Sequence, residues 1–176
     1  MLFVNCYTLN EVSEKVIEHK KSKTESVENV CISPPGNDDD SDIETIIKKE
    51  LYPNEPTYTP ENISASTEQL LESHPDYFGF IAYADGDLAG YIGLNDCASI
   101  YAFGRFGEIA ELYVKPEHRS NSVGAELIAH AMVFGKKRGW SMLEVGAPSV
   151  PTWQRTVDFY QHNGFELVGP RLYQTL

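Results

Sequence analysis

One stretch of the chain combines residue types that can hold an anion: Val114-Lys115-Pro116-Glu117-His118-Arg119-Ser120-Asn121-Ser122-Val123-Gly124-Ala125. A strand-forming run ends at Lys115-Pro116, a loop of small residues follows, and helix-forming residues begin. The backbone N–H groups at such a helix start lack acceptors within the helix. Together with the helix dipole they make an anion site. Ser120, Ser122, Gly124 and Ala125 are small enough to let a phosphate approach the backbone. Arg119 adds a fixed positive charge and a planar fork that matches phosphate oxygens. The pattern suits a pyrophosphate cradle. It also suits an ordinary strand-to-helix turn, because small-residue loops are common.

A cradle of this kind needs a strand before it and a helix after it, and both are legible. Residues 108–114 read as a strand. Residues 125–138 read as a helix with an apolar stripe of Leu127, Ile128, Ala131 and Met132. Lys136, Lys137 and Arg138 suit its negative end, and Gly139 is a natural stop. Upstream, residues 77–84 and 88–94 form two strands around the tight-turn signal Asp85-Gly86-Asp87, a hairpin. Residues 100–103 extend or follow it. Downstream come a strand at 141–145, a helix at 153–162 capped by Thr152 with Trp153, Val157 and Tyr160 on one side, and two closing strands at 165–168 and 172–175. Nearer the start, 2–8 reads as a strand, and 11–20, 43–51 and 66–73 as helices. Residues 21–60 carry acidic residues and prolines and read as an atypical insert or loop region. The order of elements is that of a mixed α/β domain with helices packed on a sheet.

Composition narrows the classes. The 176 residues are 41% hydrophobic and 23% charged, an ordinary globular profile. Cys6, Cys31 and Cys97 are far apart and form no Cys/His cluster, which argues against a zinc site or a disulfide framework and for a reduced cytoplasmic setting. No apolar run is long enough to span a bilayer. The formal charge of -12 is concentrated in residues 1–100, with 19 acids and 6 bases, against 7 acids and 8 bases in 101–176. Such a field disfavours nucleic acid and attracts cations such as amines or basic peptides. Plain solubility explains the same charge equally well.

Two segments resemble a known family. Arg119-Ser120-Asn121-Ser122-Val123-Gly124, after a strand ending Val114-Lys115-Pro116, is similar to motif A of the GNAT superfamily of N-acetyltransferases. That motif reads Arg-x-x-Gly-x-Gly or Ala, so Ser122 stands where the family has its first glycine. Tyr160-Gln161-His162-Asn163-Gly164-Phe165 resembles the family's Tyr-x-x-x-Gly-Phe signature. The family's Asn and Ala ahead of that Tyr are replaced by Trp153 and Thr156. The resemblance covers residues 77–176. It implies a single domain over 1–176, with a mostly antiparallel central sheet, two splayed parallel strands and helices on both faces.

The resemblance also implies acetyl-CoA as cosubstrate, lying between the splayed strands at 108–114 and 141–145. Leu112, Tyr113 and Val114 would offer main-chain contacts to its pantetheine arm, much as to an added strand. Arg119, Ser120, Asn121, Ser122, Val123, Gly124 and Ala125 would hold the pyrophosphate, and no metal is called for. An N–H near Leu112 or Tyr113 would support the oxyanion. The acceptor would be a primary amine of a small cation or of a peptide, attacking directly after a carboxylate takes its proton. Three carboxylates qualify: Glu108 first, then Glu111, then Glu144. Strand alternation places Glu108 with Ala110, Leu112 and Val114, and Glu111 on the other face unless a bulge intervenes. Tyr160 would protonate or hydrogen-bond the departing thiolate. The substitutions at 122, 153 and 156 keep a second reading open, a GNAT-like module that binds acyl-CoA or a partner without turnover. Neither nucleic acid nor membrane is expected as a partner, and a homodimer is compatible with a family of this kind.

Overall fold

The computed structural model describes residues 30–35, 59, 62, 65–67, 69–169 and 174. The strand expected at 2–8 and the helices expected at 11–20 and 43–51 lie outside those residues, as does nearly all of the closing strand at 172–175. The described elements are strands β1 (Val30–Ser33), β2 (Tyr77–Ala84), β3 (Asp87–Ser99) and β4 (Gly104–Val114), helix α1 (Val123–Arg138), strand β5 (Leu143–Val145) and helix α2 (Gln154–His162). Residues 65–67 are helical and a π-helical turn follows at Gln69–Ser73, in keeping with the helix expected at 66–73.

The five strands form one sheet in chain order; β1 to β4 are antiparallel, and β5 joins β4 in parallel. The β2–β3 hairpin closes through Asp85 and Gly86, with φ of 51° and 93°. Positive φ at both central residues matches the right-handed strand twist, and Gly86 takes it without cost. Residues 100–103 do not extend β3; they make the turn into β4.

Helix α1 buries Val123, Leu127, Ile128 and Ala131 against Ile92 and Leu94 of β3 and Ile109 of β4. Met132, expected on that stripe, is exposed instead. The helix stops at Gly139, whose φ of 79° lets its N–H return to the Gly135 and Lys136 carbonyls. Asp96 ties this end together. Its buried carboxylate receives Arg105 Nε at 3.0 Å on one oxygen and Arg138 Nε at 2.6 Å on the other. The end of β3, the start of β4 and the last turn of α1 thereby share one anchor.

Helix α2 starts one residue later than expected. Trp153 takes the N-cap position with no side-chain cap bond, so Thr152 does not cap it. Trp153 is exposed and does not share the buried side formed by Val157 and Tyr160. Residues 165–168 carry no strand pairing among the described residues, in contrast to the expected closing strand.

Candidate active site

The parallel pairing between β4 and β5 is short. It runs Gly107↔Leu143, Glu108↔Glu144 and Ile109↔Val145, and there β5 ends. β4 continues to Val114. The two strands therefore share three steps and then part, with Ala110 and Leu112 on the far side of the fork. Residues 141 and 142, expected in the strand, hold its base. Ser141 Oγ donates to the Ala102 carbonyl at 2.7 Å, and Gly107 N–H donates to Met142 O at 3.0 Å.

At the same point β4 bulges. Its register against β3 steps from Leu94↔Ile109 to Gly93↔Glu111, leaving Ala110 without an opposite residue. A bulge reverses the alternation that follows it. Glu108 and Glu111 therefore share one face with Tyr113, while Ile109, Leu112 and Val114 point to α1. This corrects the sequence-based placement of Glu108 beside Leu112 and Val114. The reason is physical: a single extra residue shifts every later side chain to the opposite face.

The three carboxylates differ in setting. Glu108 is half-buried and accepts from Asn95 Nδ2 at 3.3 Å. Glu144, directly across from it, accepts from Tyr101 Oη at 2.8 Å. The two glutamates are thus paired across the last shared steps of β4 and β5, each held by its own hydrogen-bond donor. Glu111 accepts from Tyr77 Oη at 2.8 Å, and Tyr77 Oη lies 2.8 Å from Tyr91 Oη. Burial pushes the Glu111 carboxyl above the usual carboxylate range, while the Tyr77 hydrogen bond pulls the other way.

Beyond the fork, a loop of small residues leads into the start of α1. Ser120 and Ser122 both adopt left-handed backbone, with φ of 75° and 67°. Ser122 is the N-cap of α1, and its side chain makes no capping bond. The first helical bond runs from Glu126 N–H to Ser122 O at 2.9 Å, so the amides of Val123, Gly124 and Ala125 precede any intrahelical acceptor. Arg119 is exposed; its Nε donates to the Val114 carbonyl at 3.0 Å, and its guanidinium lies 5.8 Å from the Tyr113 ring centroid. Positive charge is thus fixed where β4 ends. Gly124 is closely packed: a Cβ there would stand 3.0 Å from Phe159 Cζ of α2 and 3.4 Å from Val114 Cγ2.

Tyr160, next to Phe159, is buried with its ring against Phe159 and Phe165. Burial pushes its hydroxyl up to about 12, so it is a neutral O–H donor at physiological pH. The aromatic run 101–106 divides. Phe106 is buried, Tyr101 holds Glu144, and Phe103 is almost fully exposed. His130 is half-buried against Phe80, with 4.6 Å between ring centroids. His118 is half-buried in a short 3₁₀ turn. Tyr77, Tyr91 and Asn95 were not singled out from the sequence. Among the described residues no group of His, Cys, Asp and Glu is arranged to hold a metal, and no helix is long and apolar enough to cross a membrane.

Known proteins resemble the chain at this level. An uncharacterized N-acetyltransferase of Methanocaldococcus jannaschii is 31% identical over 101 residues, 55% of this chain and 42% of that protein. Streptothricin acetyltransferase of Streptomyces lavendulae is 34% identical over 77 residues, 41% of this chain and 39% of that protein. The chain thus spans less than half the length of the curated relatives it matches. A crystal structure of the aminoglycoside N-acetyltransferase AAC(6')-Iy in complex with CoA has the same fold. It aligns over 88% of this chain and 98% of its own with a TM-score of 0.70 and 19% identity. The Acetyltransferase (GNAT) family model matches residues 41–165, more than half of the sequence. The chain belongs to the GNAT acetyltransferase family.

Proposed function

We propose that this chain transfers an acetyl group from acetyl-CoA to a primary amine by direct attack. The observation that carries the reading is the fork itself: β4 and β5 part at Ile109 and Val145, and the longer arm leads straight to a helix start with unclaimed amides. When bound, acetyl-CoA supplies the thioester. The amides of Val123, Gly124 and Ala125, the Arg119 charge and the backbone of Ser120, Asn121 and Ser122 would hold its pyrophosphate. The main chain of Leu112, Tyr113 and Val114 would hold its arm. The left-handed turns at Ser120 and Ser122 fit that role by turning the backbone at the helix start, and the missing side chain at Gly124 lets Phe159 pack close beneath it.

The acceptor reaches the face that carries Glu108 and Glu111. An alkylammonium has a pKa near about 10.4 and must lose a proton before its nitrogen can attack. Glu108 or Glu111 takes that proton. Glu108 has the place at the fork, and with Glu144 beside it the pair favours a cation there. Glu111 has the raised carboxyl. As the C–N bond forms, the C–S bond breaks and the electron pair leaves on sulfur, and the nitrogen gives its second proton to solvent to leave a neutral amide. Tyr160 stabilises that thiolate. A thiolate whose thiol has a pKa of about 8.5 cannot draw a proton fully from a hydroxyl near 12, so Tyr160 donates a hydrogen bond rather than surrendering its proton.

Small amines fit this reading, and the aminoglycoside and streptothricin acetyltransferases among the relatives support the same class. The test is thiol release from acetyl-CoA with a panel of polyamines, aminoglycosides, and peptides with free N-terminal or lysine amines. Turnover with at least one amine, reduced in Glu108→Gln and in Glu111→Gln, is the expected result. Saturable acetyl-CoA binding without thiol release across the panel would leave a non-catalytic acyl-CoA-binding module instead.

A further inference from the structure

On the sheet face that carries Glu111, three strands contribute to one buried cluster. Gly79 and Gly93 stand opposite each other in the β2–β3 register. A Cβ on Gly93 would overlap the Glu111 carboxylate and the Tyr77 hydroxyl, and one on Gly79 would stand 2.7 Å from Leu71 Cδ2 and 3.0 Å from Tyr91 Oη. The two glycines open a hollow, and Tyr77, Tyr91 and Glu111 fill it. Tyr77 is 7% exposed and Tyr91 1%. A hollow that only needed filling would be served by phenylalanine, because a buried hydroxyl costs stability unless it is used.

The hydrogen bonds have a direction. A tyrosine carries one hydroxyl proton. Tyr77 gives its proton to Glu111 Oε2 at 2.8 Å, so the 2.8 Å contact between the two hydroxyls is donated by Tyr91. The chain runs Tyr91 to Tyr77 to Glu111, and each bond strengthens the next by polarisation. Besides these two hydroxyls, Glu111 shares its face with Glu108 and Tyr113 of its own strand, and the Gln69–Ser73 turn presents Leu71 to the same side.

We infer that Tyr77, backed by Tyr91, is a positioning residue for acetyl transfer: it clamps one oxygen of Glu111 so that the other takes the proton of the incoming amine. The inference rests on the reading of Glu111 as the proton acceptor. Tyr77 makes no contact with the reacting atoms in this role and acts through the carboxylate. Its loss therefore changes the acidity of Glu111 more than the fold. Burial raises that carboxyl and the Tyr77 bond lowers it. Without the bond Glu111 ionises only at higher pH, and the acid side of the rate profile moves upward with it.

The experiment follows the ¹³C resonance of the Glu111 carboxyl carbon through a pH titration of the full chain, assigned by its loss in Glu111→Gln. It needs no acceptor. Tyr77→Phe is expected to raise the titration by about one pH unit, the size of a hydrogen bond to a charged group. The acid limb of kcat/KM, measured by thiol release with an active amine, should move by the same amount, with acetyl-CoA affinity unchanged. Tyr91→Phe should move both in the same direction by less. An unmoved Glu111 titration and acid limb in Tyr77→Phe overturns the role of Tyr77 while leaving Glu111 as base intact. Should Tyr77→Phe fail to fold, the same readouts in Tyr91→Phe decide, and no shift there overturns it. An acid limb that survives in Glu111→Gln refutes Glu111 as base, and the positioning role with it.

Discussion

Replacing Ser122 with glycine should stabilise the protein. Ser122 sits at φ 67° and ψ -2°, in the left-handed region, as the N-cap of α1. An L-residue pays about 1–2 kcal/mol to stay there because its Cβ crowds the following carbonyl. The usual compensation for serine at an N-cap, a side-chain bond to a free helix amide, is missing. Glycine removes the steric cost but loses about 0.5–1 kcal/mol through greater freedom in the unfolded chain. The net gain is about 0.5–1 kcal/mol. For a chain of this size that raises Tm by roughly 1–4 °C. Ser122→Ala separates the causes, since it keeps the Cβ and the strain and removes only a hydroxyl with no capping role. Its Tm should stay within about 1 °C of the parent. Thermal unfolding of the three proteins, without ligand and then with acetyl-CoA, reads both stability and cradle. If the Ser122 hydroxyl donates to a phosphate, Ser122→Ala weakens acetyl-CoA binding several-fold, by about 1 kcal/mol. A Ser122→Gly protein that melts no higher than Ser122→Ala would refute the claim that strain is stored at this position.

Other consequences follow from the same structure. Asp96→Asn should cost about 1–3 kcal/mol, less than a fully buried pair because Arg105 and Arg138 remain partly exposed. Burial pushes Asp96 up, but the hydrogen bonds from Arg105 and Arg138 outweigh it and hold the carboxyl below its ordinary value. A depressed carboxyl stabilises the fold above its unfolded pKa of about 3.9 and loses that contribution as pH falls through the folded value. Urea melts should therefore show a gap between parent and variant at neutral pH that closes in acid. Gly124→Ala places a methyl against Phe159 and should cost about 1–3 kcal/mol while weakening acetyl-CoA binding, both visible in a melt with and without ligand. Tyr160→Phe should lower kcat by about 10- to 100-fold with acetyl-CoA affinity nearly unchanged, a split that steady-state kinetics resolves.

Elements governed by local rules were legible in the sequence. The β2–β3 hairpin was visible because Asp85-Gly86 supplies the two positive φ values that its turn requires. Helix α1 was visible from its stripe and its glycine stop, although Met132 falls off the buried side. The small-residue loop ahead of α1 was readable from residue size, but its left-handed backbone at Ser120 and Ser122 was not. The face of Glu108 was not, because a bulge at Ala110 leaves no mark in alternation until the partner strand is known. The Tyr77–Tyr91–Glu111 cluster was hidden for a related reason. It depends on residues from three strands meeting over Gly79 and Gly93, and a glycine in a strand does not say what fills its space. The start of α2 misled through Thr152, a good capping residue by type that the chain does not use.

The central claim is that the fork and the α1 start together bind acetyl-CoA. Thermal unfolding with increasing acetyl-CoA, with CoA and ATP as parallel ligands, tests it most directly, since a ligand that binds only the folded state raises Tm by mass action. A saturable rise with acetyl-CoA and CoA, none with ATP, and a weaker response in Arg119→Ala is the expected result. An unchanged Tm at millimolar acetyl-CoA, or an equal rise with ATP, would contradict it.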